Sequence, residues 1–424
     1  MGMAGTKKIQ SALVSVYHKD NLEAIIKLLH SSGVKLYATG GTQDFIEKLK
    51  IPVTPVESVT DYPSIFGGRV KTLHPKIFGG ILHRRDLKAD AEEAKKYNIP
   101  PIDLVIVDLY PFEETVSSGA SNEEIIEKID IGGISLIRAA AKNFSDVLII
   151  PSREHYNFLL DILQNQKGET AAEQRRQMAA HAFNVSSHYD TAIFNFFNAG
   201  GDISAFKQSI LTSRKLRYGE NPHQQGMFFG ALDEIFEQLH GKEISYNNLL
   251  DIDAAVSLIA EFTEPTFAIL KHNNACGIAS RKNLVDAWKD ALAADPVSAF
   301  GGILIANHAI DKAAASEINN LFFEVLLAPE YSPDALEILK QKKNRIILLL
   351  KKTSFPAKQF RSLLNGVVEQ DRDTRTETSA DMKTVTRVSP TPDQLSDLEF
   401  ANKVVKHTKS NTIVLAKKHQ LLAS

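Results

Sequence analysis

The chain reads as an α/β protein of two domains, each an apolar sheet covered by helices. Three observations carry this. Its 424 residues exceed what one ordinary core holds, so two or three domains are expected. Apolar runs of strand length alternate with amphipathic helical stretches through most of the chain. Residues 104–107 (LVIV) and 147–150 (VLII) are nearly continuous in apolar side chains, as central strands of a parallel sheet require.

Taken in order, residues 11–17 (SALVSVY) predict a strand, and 21–31 a helix with Leu22, Ile25, Ile26, Leu28 and Leu29 on one face. Residues 34–38 predict a second strand, ended by Thr39-Gly40-Gly41-Thr42, with a helix over 43–49. Asp108-Leu109-Tyr110-Pro111-Phe112 follows the LVIV strand. Open parallel sheets bind ligands outside the carboxyl ends of their strands, so both motifs have the address of a site. A long helical stretch over 170–198 is broken by Ala199-Gly200-Gly201-Asp202, which sets the expected domains at 1–200 and 201–424. The second part opens on a turn-rich block at 217–224. It continues as strand 267–270, helix 284–293, strand 303–306, helix 312–321 and strand 346–350. Residues 371–381 are polar and charged, as in an exposed loop. Residues 411–416 (NTIVLA) predict a strong strand with nothing to follow or pair with it.

Bulk properties exclude several classes. A formal net charge of -2 makes no case for a nucleic-acid or acidic-membrane partner. One cysteine, Cys276, excludes an internal disulfide framework and fits a reducing compartment. The opening stretch has too short an apolar run for a signal peptide, and no segment approaches the ~20 apolar residues that span a bilayer. The expected location is the cytoplasm.

Three constellations suit chemistry. The loop over 67–76 (GGRVKTLHPK) combines Arg69, Lys71, Lys76 and His74 with two glycines, which lets the backbone turn tightly. With Ser15, Lys19, Thr39, Gly41, Thr42 and Thr72 it supplies the hydroxyls, amides and cations that a phosphomonoester needs. A solvated basic loop and an ordinary strand-to-helix turn explain the same residues. The second constellation is Tyr110, Asp130-Ile131-Gly132-Gly133 and Lys142. A phenol, a carboxylate and an amine can exchange protons, and glycine amides at a helix N-terminus can hold an oxyanion. Here the competing readings are an N-cap for Asp130 and a core aromatic for Tyr110. The third is Lys271-His272-Asn273-Asn274 at a strand end, where the lysine can keep the histidine neutral as a base. Cys276 has no second thiol or spaced His/Asp set beside it, so no metal site is expected.

Together the stretches SVYHKDNL, TGGT, GGRVKTLHPKIFGGIL, DLYPF, DIGGISLIRAAAKN, LRYGENPHQ, SYNNLLDIDAA, LKHNNACG, DPVSAFGG and KSNTIVLA resemble one family. It is the bifunctional purine biosynthesis family that catalyses the last two steps to IMP. The resemblance implies an N-terminal IMP cyclohydrolase domain with a methylglyoxal-synthase-like fold. It implies a C-terminal AICAR transformylase domain of cytidine-deaminase-like α/β units, and an intertwined homodimer. Formyl transfer from the cosubstrate 10-formyltetrahydrofolate to AICAR gives FAICAR, and cyclisation of FAICAR gives IMP without a cofactor.

The same resemblance assigns roles. Lys71 and the amides of Ile131 and Gly132 would face the developing oxyanion, and Tyr110, Asp130 and Lys142 would move protons. Ser15, Lys19, Thr39, Gly41, Thr42, Arg69 and Thr72 would hold the 5′-phosphate. In the second domain His272 would be the base, Lys271 its tuner, and Asn411 would orient the formyl group. Arg217, Tyr218, Asn221 and His223 would shape the nucleotide pocket. Two departures stand out: Asp108 where many relatives carry asparagine, and Tyr17-His18 where they carry smaller or acidic residues. The glycine-rich and aromatic segments that end the family do not follow Ser424, so a chain shortened at its C-terminus, with an incomplete second domain and impaired transfer, is expected. The alternatives are a non-catalytic purine-nucleotide-binding module and a dimerisation module.

Overall fold

The computed structural model describes residues 5–351 and 355–424, so the first four residues of the stretch read for a leader lie outside it. The described residues divide into two compact units between Ser209 and Ile210.

The first unit is built on five parallel strands. They are β1 (Ser11–Val16), β2 (Lys35–Ala38), β3 (Thr54–Pro55), β4 (Leu104–Asp108) and β5 (Leu148–Ile150). Their spatial order is β3-β2-β1-β4-β5. The chain moves outward from β1 to β3, then resumes with β4 on the other side of β1. Such a reversal opens a crevice at the carboxyl ends of the flanking strands. The apolar runs are buried for the reason they were legible: helices cover both faces of the sheet, so Ala12–Val14 and Leu104–Val107 expose nothing.

Helix α1 (Leu22–Ser31) sets Leu22, Ile25, Ile26 and Leu29 into this core, the i, i+3, i+4, i+7 stripe of an amphipathic helix. Helices α2 (Gly40–Lys48) and α3 (Gly132–Lys142) each begin at a glycine pair, where the sequence predicts a turn and a later start. Helix α4 (Ala172–Phe197) buries Met178, Ala179 and Ala182 against the same core. Its Arg175 is fully buried and gives hydrogen bonds to the carbonyls of Phe144 (2.8 Å), Ser145 (3.0 Å) and Thr170 (2.6 Å). A buried guanidinium needs acceptors of this kind, and here they tie the start of α4 to the loop before β5.

The second unit holds a mixed six-stranded sheet in the order β6-β11-β10-β9-β7-β8. Its strands are β6 (Phe236–His240), β7 (Thr266–Lys271), β8 (Asn274–Ser280), β9 (Ile303–Ala306), β10 (Val325–Ala328) and β11 (Ile346–Leu350). Only β9, β10 and β11 pair in parallel; β7 runs antiparallel to β8 and β9, and β6 to β11. Strands β6, β8 and β10 are not among those the sequence predicts. FEQLH and NACGIAS lack an apolar run, and VLLA follows a short loop without a glycine or proline to mark it. Helix α5 (Tyr246–Ile259), capped by Ser245, also lies across this sheet.

The strand expected over 411–416 is reduced to Leu415–Ala416. It has a partner: the chain turns at Lys418-His419, both at positive φ, and Leu421–Ala423 returns antiparallel to it. The amide of Ser280 donates to the carbonyl of His419 at 3.0 Å, which seats this turn on the edge of β8. The unpartnered terminal strand that suggested a shortened domain is therefore not found. The expected loop at 371–381 is exposed, but Asp371 itself ends a hairpin of Lys358–Leu363 with Gly366–Asp371.

Trp288 anchors one face of the second sheet. It is 1% exposed and meets Phe267 edge-on at 4.9 Å. Trp288→Ala is expected to destabilise this unit by about 3–5 kcal/mol. Urea unfolding followed by circular dichroism should show the second unit's transition moved to lower urea and the first unit's unmoved.

Candidate active site

The crevice of the first unit is a cleft of about 620 Å³ at the carboxyl ends of β1, β2 and β4. Ser15, Tyr17 and Lys19 reach it from the end of β1, and Thr39, Gly41 and Thr42 from the start of α2. Arg69, Lys71 and Thr72 come from the glycine loop. Asp108 and Tyr110 follow β4, and Lys128 and Asp130–Gly133 precede and open α3. Three separate strand ends thus converge on one place, which is what the motif addresses predicted.

The phosphate-type groups are not equivalent. The Thr42 hydroxyl accepts the Val16 amide (3.2 Å) and donates to its carbonyl (3.1 Å), so it fastens α2 to β1. Lys19 folds back, donating to the carbonyls of Val16 and Tyr17 at 2.7 Å each, and burial holds its ammonium below the ordinary lysine range. Arg69 is exposed and pairs with Glu127 at the rim.

Lys71 is placed differently. Gly68 sits at φ +93°, and a Cβ on it would stand 2.4 Å from Lys71 Cε and 2.8 Å from Nζ. The ammonium passes over this glycine to lie near Gly40, at the first turn of α2. It has no hydrogen-bond partner among the described residues, while its charge draws down the pKa of Asp130. Asp130 accepts the Gly133 amide at 2.6 Å. Burial is the larger influence and holds its carboxyl above the usual carboxylate range, with nearby Asp108 adding to the rise. A Cβ on Gly133 would come within 2.6 Å of that carboxylate, so glycine is what lets the helix start there. Tyr110 is partly exposed, and burial and Asp130 raise its phenol pKa. The N-cap of α3 is Ile131, but the Asp130 side chain, one residue earlier, still holds the amide of the helix's second residue while it lines the cleft.

Lys142 is not in the cleft. It closes α3, exposed, about 15 Å along the helix from Gly132 at 1.5 Å per residue. A role for it in moving protons has no support from this placement.

The two departures meet each other. His18 gives its backbone N–H to Asp108 Oδ2 at 2.9 Å, and its Nδ1 lies 2.7 Å from the same oxygen. The parallel register that pairs Val16 with Asp108 makes them neighbours. Tyr17 packs edge-on against Tyr110 at 5.3 Å, and the Lys128 ammonium lies 5.2 Å from its ring centre. The sequence reading passed over Lys128 and Glu127, which sit in a charged helix end with no motif to mark them.

In the second unit His272 and Asn273 form the two-residue turn between β7 and β8, both at positive φ (53° and 66°). Such hairpin turns favour asparagine and glycine, so a histidine there is held against its preference. Lys271 donates to the Phe300 carbonyl at 3.0 Å. Asn274 donates to the His272 carbonyl (2.8 Å) and accepts the Lys409 amide (3.0 Å), which brings the 409–411 segment, with exposed Asn411, to the turn. Asp251, which the motif reading did not single out, accepts the Asn273 amide at 2.6 Å from α5. Its carboxyl is pushed up by burial, against the pull of that amide and of His272. The loop with Arg217 and Tyr218 rests on the start of the same helix through Tyr246 and Asn247. Arg217 Nη2 donates to the Tyr218 hydroxyl at 2.8 Å, and its buried Nε has no partner. Asn221 is exposed and bonded to Gln224, and His223 is exposed. No described hydrogen bond or ion pair joins Arg217, Tyr218, Asn221 or His223 to His272; α5 makes contacts with both groups. Burial pushes the Cys276 thiol up to about 11, which leaves it unreactive. Among the described residues no group of three or more His, Cys, Asp or Glu could hold a metal ion, and no helix is long and apolar enough to cross a membrane.

Comparison with known proteins gives two adjoining family matches, which meet within the first unit rather than at its boundary. Residues 21–135 match the MGS-like domain, and residues 140–424 match the AICARFT/IMPCHase bienzyme family. The bifunctional purine biosynthesis protein PurH of Bacteroides thetaiotaomicron is 64% identical over 422 residues, covering 100% of this chain and 83% of that protein. PurH of Rhodospirillum rubrum is 44% identical, covering 96% of this chain and 80% of its own. That of Aquifex aeolicus is 42% identical, covering 97% and 82%. A solved structure titled "Crystal structure of ForH" aligns over 45% of this chain at 32% identity with a TM-score of 0.39, too low to bear on the fold. The matches run through the whole chain and give the expected shortening no support. By its two family matches and by relatives that align along nearly all of it, the chain belongs to the bifunctional purine biosynthesis family, the AICARFT/IMPCHase bienzymes.

Proposed function

We propose that the chain carries both activities of that family: formyl transfer from 10-formyltetrahydrofolate to AICAR, then dehydrative closure of FAICAR to IMP. The cyclohydrolase is assigned to residues 1–200 and the transformylase, with its cytidine-deaminase-like units, to 201–424. A homodimer in the cytoplasm is part of the proposal. The observation that carries it is the convergence of Lys71, Tyr110 and Asp130 on the cleft that also holds the phosphate-type groups. A module that only bound a nucleotide would need the cations and hydroxyls but not this second set.

In ring closure the carboxamide nitrogen of FAICAR attacks the formyl carbon of the same molecule. One C–N bond forms and the formyl oxygen takes up negative charge. Loss of that oxygen as water then breaks the C–O bond and forms the ring C=N bond, the two protons of the water coming from the carboxamide nitrogen and from the formamide N–H. Both reacting groups are already on one molecule, so holding a single conformer supplies much of the rate. Ser15, Thr39, Gly41, Thr72, Lys19 and Arg69 hold the phosphate end in this reading, with Thr42 fixing the loop that presents them. Lys71 and the Ile131 and Gly132 amides face the oxyanion. Asp130 takes the proton from the carboxamide nitrogen, and Tyr110 is placed to return one to the departing oxygen. In transfer, His272 takes the proton from the AICAR amine as it attacks the formyl carbon, with Lys271 beside the oxyanion and Asn411 on the formyl group. Collapse of the oxyanion breaks the formyl C–N bond to the folate, and the departing folate nitrogen takes up the proton from His272, leaving FAICAR and tetrahydrofolate. Arg217, Tyr218, Asn221 and His223 hold the nucleotide.

The test follows both half-reactions by absorbance with the purified full chain. Closure of supplied FAICAR and folate-dependent formylation of AICAR are expected. His272→Ala should lose transfer by about 10²–10⁴-fold and leave closure unchanged. A wild-type chain that binds IMP yet neither closes FAICAR nor formylates AICAR would establish the binding module instead.

A further inference from the structure

A second cleft, of about 540 Å³, opens in the second unit and involves none of the residues assigned above. Lys242, Lys342, Lys343 and Arg345 line it against a single carboxylate, Glu324. Glu324 is already paired with Lys242 at 2.5 Å. The cleft therefore carries an excess of positive charge on a chain whose formal net charge is -2.

Arg345 is the centre of the argument. It is only 5% exposed, and its guanidinium lies 4.1 Å from the centre of the Phe323 ring. Its hydrogen bonds both leave from Nη1, to the Asn319 side-chain oxygen (2.8 Å) and the Leu339 carbonyl (3.3 Å). Both acceptors are neutral. Nε and Nη2 make no hydrogen bond among the described residues, and Arg345 lines the cleft. Burying a guanidinium without a counter-charge costs stability, and the cost is recovered when an anion completes the pair. The Nε–Nη2 edge has the spacing of a carboxylate or of two phosphate oxygens. Lys342 and Lys343, both exposed, precede it in the same loop. They add charge where a ligand would enter.

We propose that this cleft is an anion-binding site for a small molecule with two or more carboxylate or phosphate groups. One group sits on the Nε–Nη2 edge of Arg345, and the others face Lys342 and Lys343. The cleft stands close to the residues assigned to formyl transfer: Phe322, on its wall, packs at 5.0 Å against Phe300, whose carbonyl accepts the Lys271 ammonium.

Calorimetry on the full chain at low salt tests this, with IMP present to fill the cleft of the first unit. Inorganic pyrophosphate and citrate are the two probes, and whichever binds more tightly identifies the phosphate or carboxylate source. Wild type is expected to bind one of them with a Kd of about 1 mM or below. Arg345→Ala should weaken that binding at least about tenfold, and Arg345→Lys, which keeps the charge but not the fork, nearly as much. The exposed double variant Lys342→Ala/Lys343→Ala should weaken it about tenfold and flatten its salt dependence, without touching the buried side chain. Binding that is the same in wild type and all three variants would overturn the proposal. So would the absence of heat from both probes up to about 20 mM, a range that spans any useful affinity.

Discussion

Replacing Lys71 by alanine is expected to slow ring closure by about two to three orders of magnitude, the usual cost of removing a preorganised charge from a developing oxyanion. The ammonium makes no hydrogen bond among the described residues, so none of those holds the loop together through it. Its position depends instead on Gly68, whose missing Cβ leaves room for the side chain to pass toward the first turn of α2. The variant should therefore keep its fold, with stability within about 0.5 kcal/mol of wild type. It should also keep most of its affinity for IMP, because the phosphate is held by other side chains, Arg69 and Thr72 on the same loop and Ser15, Lys19, Thr39 and Gly41 at the ends of β1 and β2. The signature is a fall in kcat with little change in KM, measured by FAICAR absorbance. If KM rises and kcat stays, Lys71 is one more phosphate ligand, and the oxyanion assignment is wrong.

Much of this site is legible in the sequence, and the reasons are physical. Strands β1 and β4 showed themselves because a strand buried on both faces has to be apolar throughout, and the motifs that follow them inherit a strand-end address. What the one-dimensional pattern does not carry is which polar group faces which. Thr42 reads as a phosphate hydroxyl, but both of its hydrogen bonds go to Val16. Lys142 stands in the same motif as Asp130, yet a helix of 11 residues carries it out of the cleft. His18 and Asp108 are 90 residues apart and become partners only because β1 and β4 are adjacent. In the second unit β8 was hidden because NACGIAS is made of small and polar residues, and its place in the sheet comes from pairing with β7. With β8 unseen, His272 reads as the end of a strand rather than as half of a hairpin turn.

Asp130→Asn is expected to move activity and stability in opposite directions. Closure should fall by about 10²–10⁴-fold, the range for loss of a general base. The helix start should survive, since an asparagine side-chain oxygen can still accept the Gly133 amide. Burial is the main reason the Asp130 carboxyl is held above the usual range, and Asp108 adds to it. The folded protein therefore binds this proton more tightly than the unfolded chain does. Sign follows from linkage: stability from this group is fully present below the unfolded value, near 3.8, and is lost as pH rises through the raised folded value. Asparagine cannot ionise, so the variant should melt no lower than wild type at neutral pH, and its advantage should fade as pH falls toward that unfolded value. The activity profile follows from the same carboxyl. A base must be ionised to act, so the acid limb of kcat/KM should lie above the ordinary carboxylate range in wild type. Asp108→Asn removes a neighbouring negative charge and should move that limb to lower pH. The residual activity of Lys71→Ala should show it at higher pH, because the lysine favours the ionised form. A limb that stays fixed in both variants would mean that some group other than Asp130 takes the proton.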